Sequence, residues 1–365
     1  MKNFRVIICI VVLILVGSTR IVWANEITYV EMEKSVLDRT QELLMFIEPE
    51  KDLYGMEDVD FSMLSLGRQI PAYEVTAAGL VPEQDIYYYP ILEEDKWVAT
   101  SIVSYTDSGK MLVQVSCDYT DKIENKSFLN LDVALLFDTN RAYVYTESNI
   151  IEVAISPVEN VERVSLNEYT DNLLPEAVRL EEISTISIHN MLSSRTDSFD
   201  TQCYLNVPGV KQAEGSKECW AACVTSICGY YGIDTSISSV LQEMGLSSND
   251  GANIYESGDA INKMGLSYNH CWPDDFNWYQ LRTELFFNKR PLFTACNYND
   301  NSGHALVTRG FMVYEVSEQL GLISYMDPDT GNYAASNVPA DKEYYYIPSG
   351  ASKQYKITGF LAVYQ

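Results

Sequence analysis

Apolar and polar positions follow three regimes along this chain. The first is an unbroken apolar run, Val6 to Val16, placed behind Lys2 and Arg5 and followed by Arg20 and the tripeptide Val22-Trp23-Ala24. The run is shorter than the roughly 20 residues a membrane-spanning helix needs. A positive start, a short apolar stretch and a small residue at its exit predict a secretory signal peptide over residues 1–24, removed on export. The second regime covers residues 25–180. Val30, Leu37, Leu44 and Ile47 recur at a mostly helical spacing, which predicts a helix from Glu26 that stops at Pro49. Alternating segments follow. Trp97–Tyr105 and Met111–Cys117 flank Thr106-Asp107-Ser108-Gly109, and Leu131–Phe137 and Ala142–Thr146 flank Asp138-Thr139-Asn140-Arg141. Two antiparallel hairpins are expected there. Residues 181–203, rich in Ser, Thr and Asp, read as a linker in which an activating cleavage would fall.

The third regime covers residues 204–365. Trp220, Val224, Ile227 and Tyr231 form a helical stripe, so Cys219–Tyr231 is expected to be a helix stopped by Gly232. Ile237–Met244, Asn253–Met264 and Asn277–Asn288 read as further helices. Pro291–Asn297, His304–Val313, Leu320–Asp327, Glu343–Pro348 and Tyr355–Tyr364 read as strands. The expected fold class is therefore α+β: an N-terminal α+β module, then a helical subdomain with a small antiparallel sheet.

Composition sharpens this picture in two places. The 365 residues carry a net charge of −26, concentrated in residues 25–200, which excludes a nucleic-acid backbone or an anionic membrane surface as the partner. Cysteines matter more. Once Cys9 leaves with the signal, Cys117, Cys203, Cys219, Cys223, Cys228, Cys271 and Cys296 remain, an odd number that leaves one thiol unpaired in an oxidising compartment. No Cys-x-x-Cys pair is present, and Cys219, Cys223 and Cys228 lack zinc-ribbon partners, so neither metal nor other cofactor is expected.

One thiol stands out chemically. Cys219 begins a predicted helix, whose N-terminal dipole stabilises a thiolate. His304, after Gly303, sits at the mouth of an apolar strand that would hold its ring rigidly. Asp327 ends the following strand, before Pro328, where its carboxylate would accept a bond from one imidazole nitrogen and leave the other for the thiol. Each residue alone has a blander reading: a small core residue, a structural histidine, a turn. Their conjunction in a chain with three histidines is what points to chemistry. His189 falls in the linker region, and His270, after a helix and without a strand around it, reads as a surface or half-buried residue. Cys223, inside the helix, and Cys296, in a strand, read as core or disulfide residues.

Gln212, Cys219-Trp220-Ala221-Ala222, Gly303-His304-Ala305 and Asp327-Pro328 together resemble the papain-like cysteine peptidases, in particular the compact bacterial branch of staphopains and bacteriocin-processing peptidases. The resemblance covers about residues 204–365. It implies that Cys219 is the nucleophile, His304 the base, Asp327 the orienter and Gln212 an oxyanion donor. The whole chain would then be a secreted cysteine endopeptidase made as a zymogen. Its substrate would be a protein or peptide, and its own N-terminal module an intramolecular inhibitor. An acyltransferase or amidase using the same three residues is the alternative on this fold, and a binding or inhibitory role for the N-terminal module the alternative outside enzymology.

Overall fold

The computed structural model describes residues 29–76, 79–94, 96–120, 132–138, 141–146, 149–155, 177–179, 182–186, 201–272, 278–299, 302–315, 320–338, 344–348 and 354–365. The expected signal peptide lies outside these. Two compact units are distinguished, residues 1–36 and 37–365, and of the first only the start of one helix is described. That helix, α1 (Tyr29–Ile47), gives way to a 3-10 segment at Glu48–Tyr54. Pro49 is tolerated there because a helix start has no use for its missing N–H, and Gly55, at φ +70°, ends the segment.

The N-terminal strands are β1 (Leu64–Gly67), β2 (Ala72–Thr76), β3 (Gly79–Pro82), β4 (Tyr87–Glu93), β5 (Lys96–Tyr105), β6 (Met111–Ser116), β7 (Asp132–Asp138), β8 (Arg141–Thr146), β9 (Asn149–Ile155), β10 (Val178–Arg179), β11 (Glu182–Thr185) and β12 (Thr201–Tyr204). Both expected hairpins are present. Strands β5 and β6 meet at Tyr105↔Met111, with Gly109 at φ +79° in the turn, and β7 and β8 meet at Asp138↔Arg141. Strands β2, β3 and β7–β10 make one sheet. Tyr88, Trp97, Ile102, Tyr119, Leu135, Phe137 and Val144 pack into the module's core.

The remaining elements are α2 (Cys219–Tyr230), α3 (Ile237–Met244), α4 (Ile254–Lys263) and α5 (Trp278–Arg282), with strands β13 (Ser267–Cys271), β14 (Leu292–Asn299), β15 (Ser302–Glu315), β16 (Leu320–Met326), β17 (Tyr333–Val338), β18 (Tyr345–Tyr346) and β19 (Tyr355–Tyr364). Every residue from Cys219 to Cys228 is buried, so α2 is an interior helix; it lies against β15. Such a helix is apolar on nearly every face, and its two buried hydroxyls are satisfied by Ala221 O and Pro208 O.

Several expectations change here. The sheet of the C-terminal part is not small and does not stop at the module boundary. Its strand order is β11-β1-β4-β5-β6-β17-β16-β15-β14-β19-β13, with β12 on β15 and β18 on β19. The junction is the antiparallel pair β6–β17, with Val115 opposite Ala335 and Gln114 opposite Ser336. Both ends of the expected linker are strands, β11 on β1 and β12 on β15, and residues 181 and 187–200 fall outside the described residues. Polar composition did not prevent this, because Ser and Thr suit an edge strand and Ile186 is buried beside it. His270 lies in a strand after all, opposite Leu361 of β19. The segment expected to be one helix over Asn277–Asn288 is α5 followed by a π-helical turn at Thr283–Phe287.

A buried cation marks the same junction. Arg309 of β15 is 0% exposed, with its guanidinium 4.1 Å from the ring centre of Tyr333, 5.3 Å from Tyr204 and 5.6 Å from Tyr54. Glu50 supplies the counter-charge at 3.6 Å, and Tyr54 donates to Ser324 Oγ at 2.7 Å. Burial of a charge costs several kcal/mol unless it is paired and surrounded like this.

Candidate active site

Four chain segments build the site. The loop before α2 is folded by Glu218, whose carboxylate accepts from Ala213 N at 3.3 Å and Ser216 Oγ at 3.1 Å. This places Cys219 as the first residue of α2, where helix N–H groups lack intrahelical partners. Cys219 is 9% exposed, whereas Cys223 one turn on and Cys296 of β14 are 0% exposed. Trp220 is pinned by its indole N–H to Asp250 O at 3.1 Å, which fixes the roll of the helix start.

His304 enters from β15, opposite Cys296. Gly303 packs closely beside it: a Cβ there would lie 2.8 Å from Oδ1 of the exposed Asn297 side chain. Asp327 directly follows β16 and opens a tight turn: Gly331 N bonds to Asp327 O at 2.7 Å and Asp327 N to Asn332 O at 2.9 Å. This turn needs glycine on both sides. Gly331 has φ +79°, and a Cβ on Gly209 would sit 2.1 Å from Gly331 O.

The structure brings His304 and Asp327 together at 2.9 Å, Nε2 to Oδ1, with both side chains out of water. Nδ1 makes no hydrogen bond among the described residues, so it is the nitrogen available to the thiol. Tyr346 of β18 donates its hydroxyl to Asp327 Oδ2, and Asp329 N donates to Oδ1 at 2.8 Å. Burial pushes the Asp327 carboxyl up, but the His304 charge, its hydrogen bond and these two donors outweigh burial and hold it below the usual range. Burial works against a charged His304. The charges of Asp327 and Asp329, with the hydrogen bond to Asp327, override it and raise the imidazole well above its ordinary value. The imidazole is thus a strong proton acceptor held against the Asp327 carboxylate.

Gln212 sits on the far side of the turn. Its Nε2 donates to Asp329 Oδ1 at 2.6 Å and makes a long 3.5 Å contact to Ser216 O. Asp329 is a participant that the sequence did not reveal. Burial of its carboxylate, then the charge of Asp327, push it well above the usual range. Tyr346 was equally hidden, read only as part of a strand. Burial and the Asp327 charge hold its hydroxyl in the neutral, donating form.

His304, Asp327 and Asp329 are also a cluster whose potential ligand atoms lie within 4.8 Å of one another. Asp327 is already engaged by His304, Tyr346 and Asp329 N, and Asp329 Oδ1 by Gln212. The neighbouring thiols are kept inert: burial, then the Cys219 charge, raise Cys223 well above a normal thiol, and burial carries Cys296 to about 12.

Residues 201–339, which contain Gln212, Cys219, His304 and Asp327, match the family model described as papain-like cysteine protease AvrRpt2. No curated protein matches the chain. Among solved structures, a double glycine motif protease from an AMS/PCAT transporter, crystallised with its leader peptide, is similar at 21% identity and a TM-score of 0.30, covering 46% of this chain and 96% of that one. The family match covers residues 201–339, less than half of the chain, and marks that segment as similar to papain-like cysteine proteases, which supports cysteine-peptidase activity.

Proposed function

We propose that this enzyme is a secreted endopeptidase that cleaves peptide bonds through Cys219, His304 and Asp327. The observation that carries this reading is the buried 2.9 Å bond between His304 Nε2 and Asp327 Oδ1, which leaves Nδ1 open beside the N-terminus of α2. Cys219 loses its proton to Nδ1, and the thiolate attacks the substrate carbonyl carbon. The oxyanion formed is met by the N–H of Cys219 and by the second N–H of Gln212, which is only weakly engaged with Ser216. Nδ1–H then protonates the departing amine as the C–N bond breaks, leaving a thioester. Water, deprotonated by Nδ1, releases the carboxylic acid and restores the thiol. Asp327 holds the ring throughout and stabilises its charged form.

Export through the signal at residues 1–24 and synthesis as a zymogen complete the proposal, with the N-terminal module as intramolecular inhibitor and activation by cleavage within 181–203. The test is alkylation of the native protein with iodoacetamide near neutral pH, mapped by mass spectrometry, beside a casein-cleavage assay. Selective labelling of Cys219 with matching loss of cleavage, and no cleavage by Cys219→Ala, is the expected result. Faster labelling at another cysteine, or an active Cys219→Ala protein, would overturn the assignment. Cys219-dependent transfer of a peptide to an added amine, without hydrolysis, would replace hydrolysis by acyl transfer.

A further inference from the structure

We infer that the N-terminal module is a lasting part of the catalytic machinery, with Gln114 as a positioning residue for the triad; this rests on the reading of Cys219, His304 and Asp327 given above. The path is continuous and buried. Gln114, 0% exposed on β6, donates from Nε2 to Ile347 O at 2.9 Å and accepts at Oε1 from Ile347 N at 3.1 Å. Both polar atoms of one backbone unit are thus held by one side chain from 233 residues earlier in the chain. The next residue back, Tyr346, donates to Asp327 Oδ2, and Asp327 holds His304.

Successive residues of an extended segment point to opposite faces. Here one face of 346–347 belongs to each half of the protein. Tyr346 enters the active site, while the Ile347 side chain packs in the N-terminal core with Tyr88, Trp97, Tyr119 and Leu135. The segment that orients Asp327 is therefore seated in the module that precedes the catalytic part. Other joints fix the same relation. Val113 N donates to Asn337 Oδ1, Asn337 Nδ2 donates to Met111 O at 3.2 Å, and Ser104 donates to Gln354 Oε1 at 2.9 Å. The Arg309 cage, with Tyr54 and Glu50 from the N-terminal module and Tyr204 and Tyr333 from the rest of the chain, locks the middle of β15.

A module removed after cleavage would leave the edge of β17 unpaired, Ile347 without its core and Arg309 without Glu50. Cleavage between 187 and 200 would sever the covalent link and leave these contacts intact. Such a cleavage does not release the module, and the mature enzyme consists of two chains.

The experiment introduces a recognition site for a specific protease between residues 187 and 200 of the full chain, cuts it, and passes the product over a sizing column in native buffer. Co-elution of both fragments with Cys219-dependent casein cleavage is expected. Separation of the fragments, with a fully active C-terminal piece, would overturn the inference. Co-elution is read independently of activity, and a Cys219→Ala control separates failure of the triad from failure of this scaffold role. A second measurement uses Gln114→Met, which keeps volume and loses both bonds. A roughly 10-fold fall in kcat with KM unchanged within two-fold is expected, because Asp327 loses its fixed orientation while the cleft is untouched. An unchanged kcat in a folded Gln114→Met protein would remove Gln114 from the positioning role. Should that variant fail to fold, the sizing result decides.

Discussion

Replacing Tyr346 by Phe isolates one hydrogen bond in the site. The ring stays, packed 5.9 Å from Tyr325 and 6.3 Å from His304, and only the hydroxyl on Asp327 Oδ2 is lost. Tyr346 is 0% exposed and Asp327 1%, so water does not replace the donor. A hydrogen bond to a charged group contributes about 1.5–3 kcal/mol, and one to a neutral group about 0.5–1.5. The variant is therefore expected to unfold about 1.5–3 kcal/mol more easily at pH 7. The pH dependence follows from the direction of the carboxyl shift. Asp327 is held below its ordinary value, so the stability it contributes is present above the unfolded-state value of about 3.9 and is lost as pH falls through the folded value. Removing the Tyr346 donor takes away one of the interactions that lower the carboxyl, so the folded value rises toward the ordinary one. The deficit should thus be full near neutrality and shrink toward the neutral-bond range once Asp327 is protonated in both proteins. Urea unfolding followed by tryptophan fluorescence between pH 3 and pH 7 measures it. A deficit under about 0.5 kcal/mol at pH 7, or one that stays flat with pH, would refute the reasoning.

Two further substitutions probe the turn that carries the acids. Gly209→Ala puts a Cβ 2.1 Å from Gly331 O, a backbone atom that cannot step aside cheaply. It should cost at least about 1–3 kcal/mol, as overpacking does, and reduce casein cleavage about 10-fold, the equivalent of 1.4 kcal/mol, by moving Asp327; wild-type Tm and activity would contradict the close approach. Asp329→Asn keeps the acceptor for Gln212 and removes the charge that helps raise His304. Because Asp329 itself titrates well above the usual carboxyl range, variant and wild type should agree at acid pH. They should diverge above it, the basic limb of Cys219 alkylation moving to lower pH in the variant; identical profiles at all pH values would remove Asp329 from the electrostatics of the site.

The residues proposed to carry chemistry were legible because their signals are local. A helix beginning at Cys219, a strand beginning near His304 and a strand ending at Asp327 each follow from apolar spacing within about ten residues, and the two hairpins of the N-terminal module from turn residues between alternating runs. Their meeting at hydrogen-bond distance is tertiary. Tyr346 and Asp329 went unrecognised because a tyrosine in an aromatic run and an acid in a turn have ordinary local reasons to be there. His270 is half-buried as expected, but the strand around it was missed because β13, Ser-Tyr-Asn-His-Cys, has no apolar run of its own and is a strand only through pairing with β19. The division into module and catalytic part came from composition, which reports solvation along the chain and nothing about pairing. What joins them is the match of β6 to β17 and of Gln114 to Ile347, backbone and side-chain complementarity between segments more than 200 residues apart. Sequence alone thus determined which chemical groups are present and the local elements that present them. Tertiary structure decided which donor meets which acceptor, because hydrogen-bond partners in a sheet are chosen by register and burial rather than by nearness along the chain.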